Sequence, residues 1–128
     1  MTILLVDGNN VIGSVPDGWW RDRPGAVRRL VARLQGYAGA TGTPIEVVFD
    51  VPQADLGEGE HDGIRVHYAT RRGRDAADDR ILELLDAGFD DEVEVVTSDR
   101  HLADGVRQRG ARVAGAGDLL HRLDAAGC

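Results

Sequence analysis

Short runs of consecutive apolar residues, each closed by an acid or a glycine and separated by segments of helical spacing, constrain this chain more than any other feature. Thr2 to Val6, Ile45 to Phe49, Ile64 to Ala69 and Val93 to Thr97 are such runs. Near-continuous apolar character suits strands buried on both faces, and parallel strands need a long crossover, usually a helix, between them. The intervening segments supply it. Pro24 opens one helix, in which Val27, Leu30, Val31 and Leu34 recur at helical spacing until Gly36 and Gly39 weaken the pattern. Asp75 is placed to cap a second, which carries Ile81, Leu82, Leu84 and Leu85 and stops at Gly88. A third helix is expected from about Arg100 to Gln108, then a short strand over Ala111 to Ala114 and a last helix from Asp118 to Ala125. Asp7-Gly8-Asn9-Asn10 reads as the exit loop of the first strand, and Pro52 to Gly63 as a loop. The expected fold is α/β, a three-layer α/β/α sandwich with a central, mainly parallel sheet and right-handed crossovers, built as a single domain over residues 1–128.

Composition removes several classes of function. No apolar run approaches the ~20 residues of a membrane span, and Ile3-Leu4-Leu5-Val6 stops at Asp7, which also argues against a signal peptide. The single cysteine, Cys128, cannot form an internal disulfide or a Cys-based zinc site. The expectation is a soluble, cytoplasmic protein. A net charge of -7 argues against coating nucleic acid by bulk charge. All fifteen basic residues are arginine, so each is a planar fork able to bind phosphate bidentately or to stack. They are segregated: Ile45 to Gly63 holds six acids and no arginine, whereas Gly63 to Arg74 carries Arg65, Arg71, Arg72 and Arg74 and no acid. No phosphate-binding glycine motif follows a strand, and the absence of lysine removes receiver-domain and haloacid-dehalogenase chemistry. Ser98 and the four histidines offer no convincing nucleophile and base.

The acids have a pattern of their own. In an open parallel sheet the ligand site lies beyond the carboxyl ends of the strands. Asp7, Asp50 and Asp99 follow three of the expected strands, while Asp75, Asp78 and Asp79 open the helix after another and share one of its faces. Each has an ordinary structural reading as a cap or turn former. Brought to one edge, however, Asp7, Asp78, Asp79 and Asp99 would repel one another, and hard oxygen donors of this kind suit Mg²⁺ or Mn²⁺.

Val6-Asp7-Gly8-Asn9-Asn10-Val11-Ile12, Val47-Val48-Phe49-Asp50, Asp75 to Ile81 and Val95 to Arg100 resemble, in this order, the NYN domain of the PIN-like nuclease superfamily, in particular its YacP-like branch. The resemblance implies an α/β/α sandwich, an acidic cluster that binds Mg²⁺ or Mn²⁺, and hydrolysis of RNA. It places the metal-binding and catalytic acids on Asp7, Asp78, Asp79 and Asp99, with Asn10 helping to position the metal or the phosphate. Asp79 stands where some relatives carry the longer glutamate. Asp50 and Asp104 are less firmly matched.

On this reading, water attacks the phosphorus in line and leaves a 5′-phosphate and a 3′-hydroxyl. Arg71, Arg72, Arg74, Arg80 and Arg100 border the acids and are the candidates for holding the RNA backbone. Trp19 and Trp20, beside Arg21 and Arg23, either stack on single-stranded bases or cover a hydrophobic edge. Two alternatives stay open: a non-catalytic module of nuclease fold that docks on RNA or a ribosome-associated partner, and a metal-dependent phosphatase acting in a closed pocket.

Overall fold

The computed structural model describes residues 1–128. Its strands are β1 (Ile3–Asp7), β2 (Ile45–Phe49), β3 (Gly59–His61), β4 (Ile64–Tyr68), β5 (Val93–Val96) and β6 (Arg112–Ala114). Its helices are α1 (Gly8–Gly13), α2 (Arg23–Thr41), α3 (Ala76–Ala87), α4 (Arg100–Gln108) and α5 (Ala116–Ala125), with a 3₁₀ turn at Trp19–Arg21. The strands form one sheet in the order β3-β4-β2-β1-β5-β6, parallel throughout except for β3 against β4.

Alternation along each strand divides the apolar residues between two layers of helices. Leu4, Val6, Val47 and Phe49 face one way, against Val11 of α1, Leu30 and Leu34 of α2, and Leu119 and Leu123 of α5. Leu5, Val48 and Val95 face the other, against Ile81 of α3 and Leu102 and Val106 of α4. Both faces are therefore dry, which is why the strands read as continuous apolar runs. The chain winds from β1 to β2 and β4 on one side, then crosses to β5 and β6 on the other, so strand order reverses at β1.

Five elements differ from the sequence reading. Asp7-Gly8-Asn9-Asn10 is no loop: Gly8 opens a six-residue helix directly behind β1. A Cβ on Gly8 would lie 2.4 Å from a ring atom of buried Phe49 and 2.9 Å from the Val48 carbonyl oxygen, so glycine is required by close approach. Helix α2 runs through Gly36 and Gly39 to Thr41, because Tyr37 and Ala38 pack on the core and outweigh the ~1 kcal/mol each glycine costs. Within the expected loop, Gly59–His61 pairs with β4 through a tight turn at Asp62 and Gly63, with φ of 44° and 94°. Asp75 does not cap α3: its backbone is left-handed, φ 61°, and its side chain accepts no capping hydrogen bond. Helix α5 also starts at Ala116, two residues before Asp118, which lies in its first turn.

Candidate active site

The carboxyl ends of β1, β2 and β5 and the start of α3 enclose a cleft lined by Asp7, Asn9, Asn10, Asp50, Arg74, Asp75, Asp78 and Asp99. This is where strand order reverses, the position at which open α/β sheets bind ligands.

Asp7 is the deepest of these groups, only 4% exposed. The Thr97 hydroxyl donates to its Oδ2 at 2.9 Å and in turn accepts the Asp99 backbone N–H at 3.1 Å, tying the ends of β1 and β5 together. Burial raises the Asp7 carboxyl to about 6; the Thr97 hydroxyl opposes the rise, and the charges of Asp78 and Asp99 add to it. Asp78 is also raised to about 6, by burial first and then by the charges of Asp99, Asp75 and Asp79, with His101 opposing. These acids therefore feel one another across the cleft. Asp99 has a second duty, since its Oδ1 accepts the Leu102 N–H at 2.9 Å and caps α4.

Two consecutive asparagines hold the cleft's walls. Asn9 Oδ1 accepts the Asp50 N–H and Asn10 Oδ1 accepts the Ser98 N–H, both at 2.8 Å. Helix α1 thus grips the loops after β2 and β5 at once. Ser98 continues the chain of contacts, its hydroxyl accepting the Ala116 N–H at the start of α5. The carboxamide oxygen of Asn10 is committed to this scaffold, so the residue positions the walls as well as lining the cleft. Asn9, Thr97 and Ser98 were missed from the sequence. The available signal was a set of small polar residues closing otherwise apolar strands.

Asp79 is placed differently from Asp78. It turns to the neighbouring hollow between α3 and α4, where the Arg71 guanidinium holds its carboxylate at 2.5 and 3.0 Å. Of the acidic pair, Asp78 lines the cleft with Asp7 and Asp99 and borders this hollow too, whereas Asp79 lines only the hollow. Asp104 lies beside Asp79, exposed and paired with Arg107 at 3.7 Å. Among the arginines, Arg71 is further engaged with the Arg72 and Arg74 carbonyls, and Arg80 lies against Glu58 and Glu83. Both are engaged with carboxylates. Arg72, Arg74 and Arg100 make no ion pair, and neither do Arg21 and Arg23; the other ten arginines all do.

The acids fit a hard divalent cation by chemistry: oxygen donors, partly dry, whose mutual repulsion an ion would relieve. No three of them converge tightly enough to form a closed cage. An ion here would therefore be held in part by water and by substrate oxygens, as Mg²⁺ commonly is.

Fold and cleft together define a nuclease-like α/β/α domain with its acids at the switch point of the sheet. The chain belongs to the YacP-like NYN domain family, which it matches over residues 4–127. It is similar to the crystal structure of Rae1 (YacP) from Bacillus subtilis, with a TM-score of 0.82 and 28% identity over 99% of this chain and 76% of that one. The W164L mutant of the same Bacillus protein superposes with a TM-score of 0.81 at 28% identity, over 99% of this chain and 77% of the other. Comparison with curated protein sequences gives no match.

Proposed function

We propose that this domain is a divalent-metal-dependent ribonuclease that hydrolyses phosphodiester bonds in RNA. The observation that carries the reading is the buried Asp7 carboxylate, held by Thr97 and facing the charges of Asp78 and Asp99. Membership in a nuclease-like family supports it.

Asp7, Asp78 and Asp99 are the residues that would hold Mg²⁺ or Mn²⁺, with Asp79 kept in reserve by Arg71 one helix position away. A bound divalent ion supplies acidified water and neutralises charge on the phosphate. The remaining work falls to the chain. Thr97 fixes the Asp7 carboxylate so that an oxygen faces the cleft, and Asn9 and Asn10 keep the three strand ends in register. Arg72, Arg74 and Arg100, free of carboxylate partners, draw the RNA backbone to the acids. Asp50 lines the same cleft, its backbone rather than its side chain bound to Asn9.

The test is cleavage of structured and unstructured RNA in Mg²⁺, Mn²⁺ and EDTA by the wild type, Asp7→Asn and Asp99→Asn. Cleavage by the wild type with metal, absent in EDTA and in both variants, is the expected result. Full activity in the variants would overturn the assignment of these acids. A wild type that binds RNA in every buffer and cuts none would leave a binding module of nuclease fold.

A further inference from the structure

Beside the acidic cleft lies a second cavity of about 570 Å³. The two share Asn9 and Asp50. Beyond them the walls are mostly apolar and aromatic, Trp19, Pro24, Phe49 and Val51, with the polar groups of Arg23 and Gln53 among them. We propose that this cavity receives one unpaired nucleobase of the RNA whose backbone crosses the acids, with Trp19 as the stacking platform. The proposal rests on the ribonuclease reading and names how that site grips its substrate.

Trp19 has no other evident duty. Neither it nor Trp20 belongs to the two core clusters or packs against them. The tryptophans instead meet edge to face at 5.9 Å on the single 3₁₀ turn before α2. The Arg23 guanidinium lies over the Trp19 ring at 5.2 Å, a second planar group beside the first. A nucleobase matches such a pocket, because its faces stack on aromatic and guanidinium planes while its edge meets a few polar groups. Charge points the same way. With a net charge of -7 and ten of fifteen arginines already paired, phosphate contacts alone give little hold, and stacking supplies affinity that needs no positive surface. Shared walls place the base next to the phosphate at the acids, so the strand entering the cleft has to be unpaired there.

The two tryptophans make the test direct. Trp20 lies outside the cavity, so Trp20→Phe leaves Trp19 as the sole tryptophan reporter. This protein is titrated in EDTA with pentauridylate and with an abasic pentamer of the same phosphate number, and binding is followed independently by anisotropy of labelled strands. Saturable quenching of Trp19 by pentauridylate, with the abasic strand binding about tenfold more weakly, is the expected result. Trp19→Ala and, as a smaller change that keeps the turn, Gln53→Ala should weaken pentauridylate binding and leave abasic binding unchanged. Trp19 emission that stays constant through saturation, equal affinity for the two strands, or no saturable binding overturns the pocket. The underlying reading fails separately. Wild type that cuts RNA without a Trp19 response keeps the nuclease and loses the pocket, whereas base-dependent quenching without cleavage in Mg²⁺ or Mn²⁺ keeps the pocket and removes the nuclease.

Discussion

At the scale of the residue, Asp7 sets stability against chemistry. Its carboxyl and that of Asp78 hold their protons to about 6 in the native state, against 3.8 ordinarily. Between those values the folded chain binds more protons than the unfolded one, so this contribution to stability is full below about 4 and is lost as pH rises through 6. A denaturation series in EDTA from pH 4 to 8 should show that decline. Asp7→Asn should flatten it and raise stability at pH 8 by on the order of 1–3 kcal/mol, since the carboxamide oxygen still accepts from Thr97 and no charge is buried. The same variant should lose cleavage. Thr97→Val removes the donor to Asp7 and the acceptor for Asp99 N–H, and should cost about 1–3 kcal/mol and most of the activity, with Thr97→Ser restoring both. Asp75 offers an opposite case, because its left-handed backbone suits glycine: Asp75→Gly should stabilise the fold by about 1 kcal/mol in a urea titration.

At the scale of the element, α1 decides whether there is a site. Its one and a half turns place Asn9 and Asn10 on two different loops, which demands that Gly8 press against Phe49 and the Val48 carbonyl. Gly8→Ala should therefore cost more than the 1–3 kcal/mol of ordinary overpacking, because a backbone oxygen cannot swing aside, and should lower activity as well as the melting temperature. The sequence showed the acids of this region but not the helix, since Asp-Gly-Asn-Asn carries every mark of a turn and none of a helix. Tertiary contact overrode local preference there. The β3-β4 hairpin was missed for a different reason: its Asp62-Gly63 turn was visible, but three polar residues, Gly59 to His61, give no alternation to read as a strand. The four buried strands and the α3 and α4 helices were legible because both faces of the sheet are covered. Ion pairing was not, so the commitment of Asp79 to Arg71 came only from the structure.

At the scale of the whole molecule, charge is economical. Arg74 lines the acidic cleft and, like Arg72 and Arg100, makes no ion pair, and replacing each by Ala should lower the slope of log affinity for RNA against log salt by about one while leaving the fold intact. Arg71→Ala should behave otherwise, lowering stability and releasing Asp79 with little change in that slope. Divalent ions should raise the melting temperature of the wild type, more at pH 8 than at pH 5 because the acids must be ionised to bind, and Asp7→Asn should lose most of the gain. The sheet order carries one more consequence. Thr97 reaches Asp7 across 90 positions of sequence, and β5 pairs with β1 only after everything between them has been made. During synthesis, then, the emerging polypeptide carries Asp7 long before it has a cleft to put it in, because the wall that Thr97 and Asp99 supply leaves the ribosome some ninety residues later.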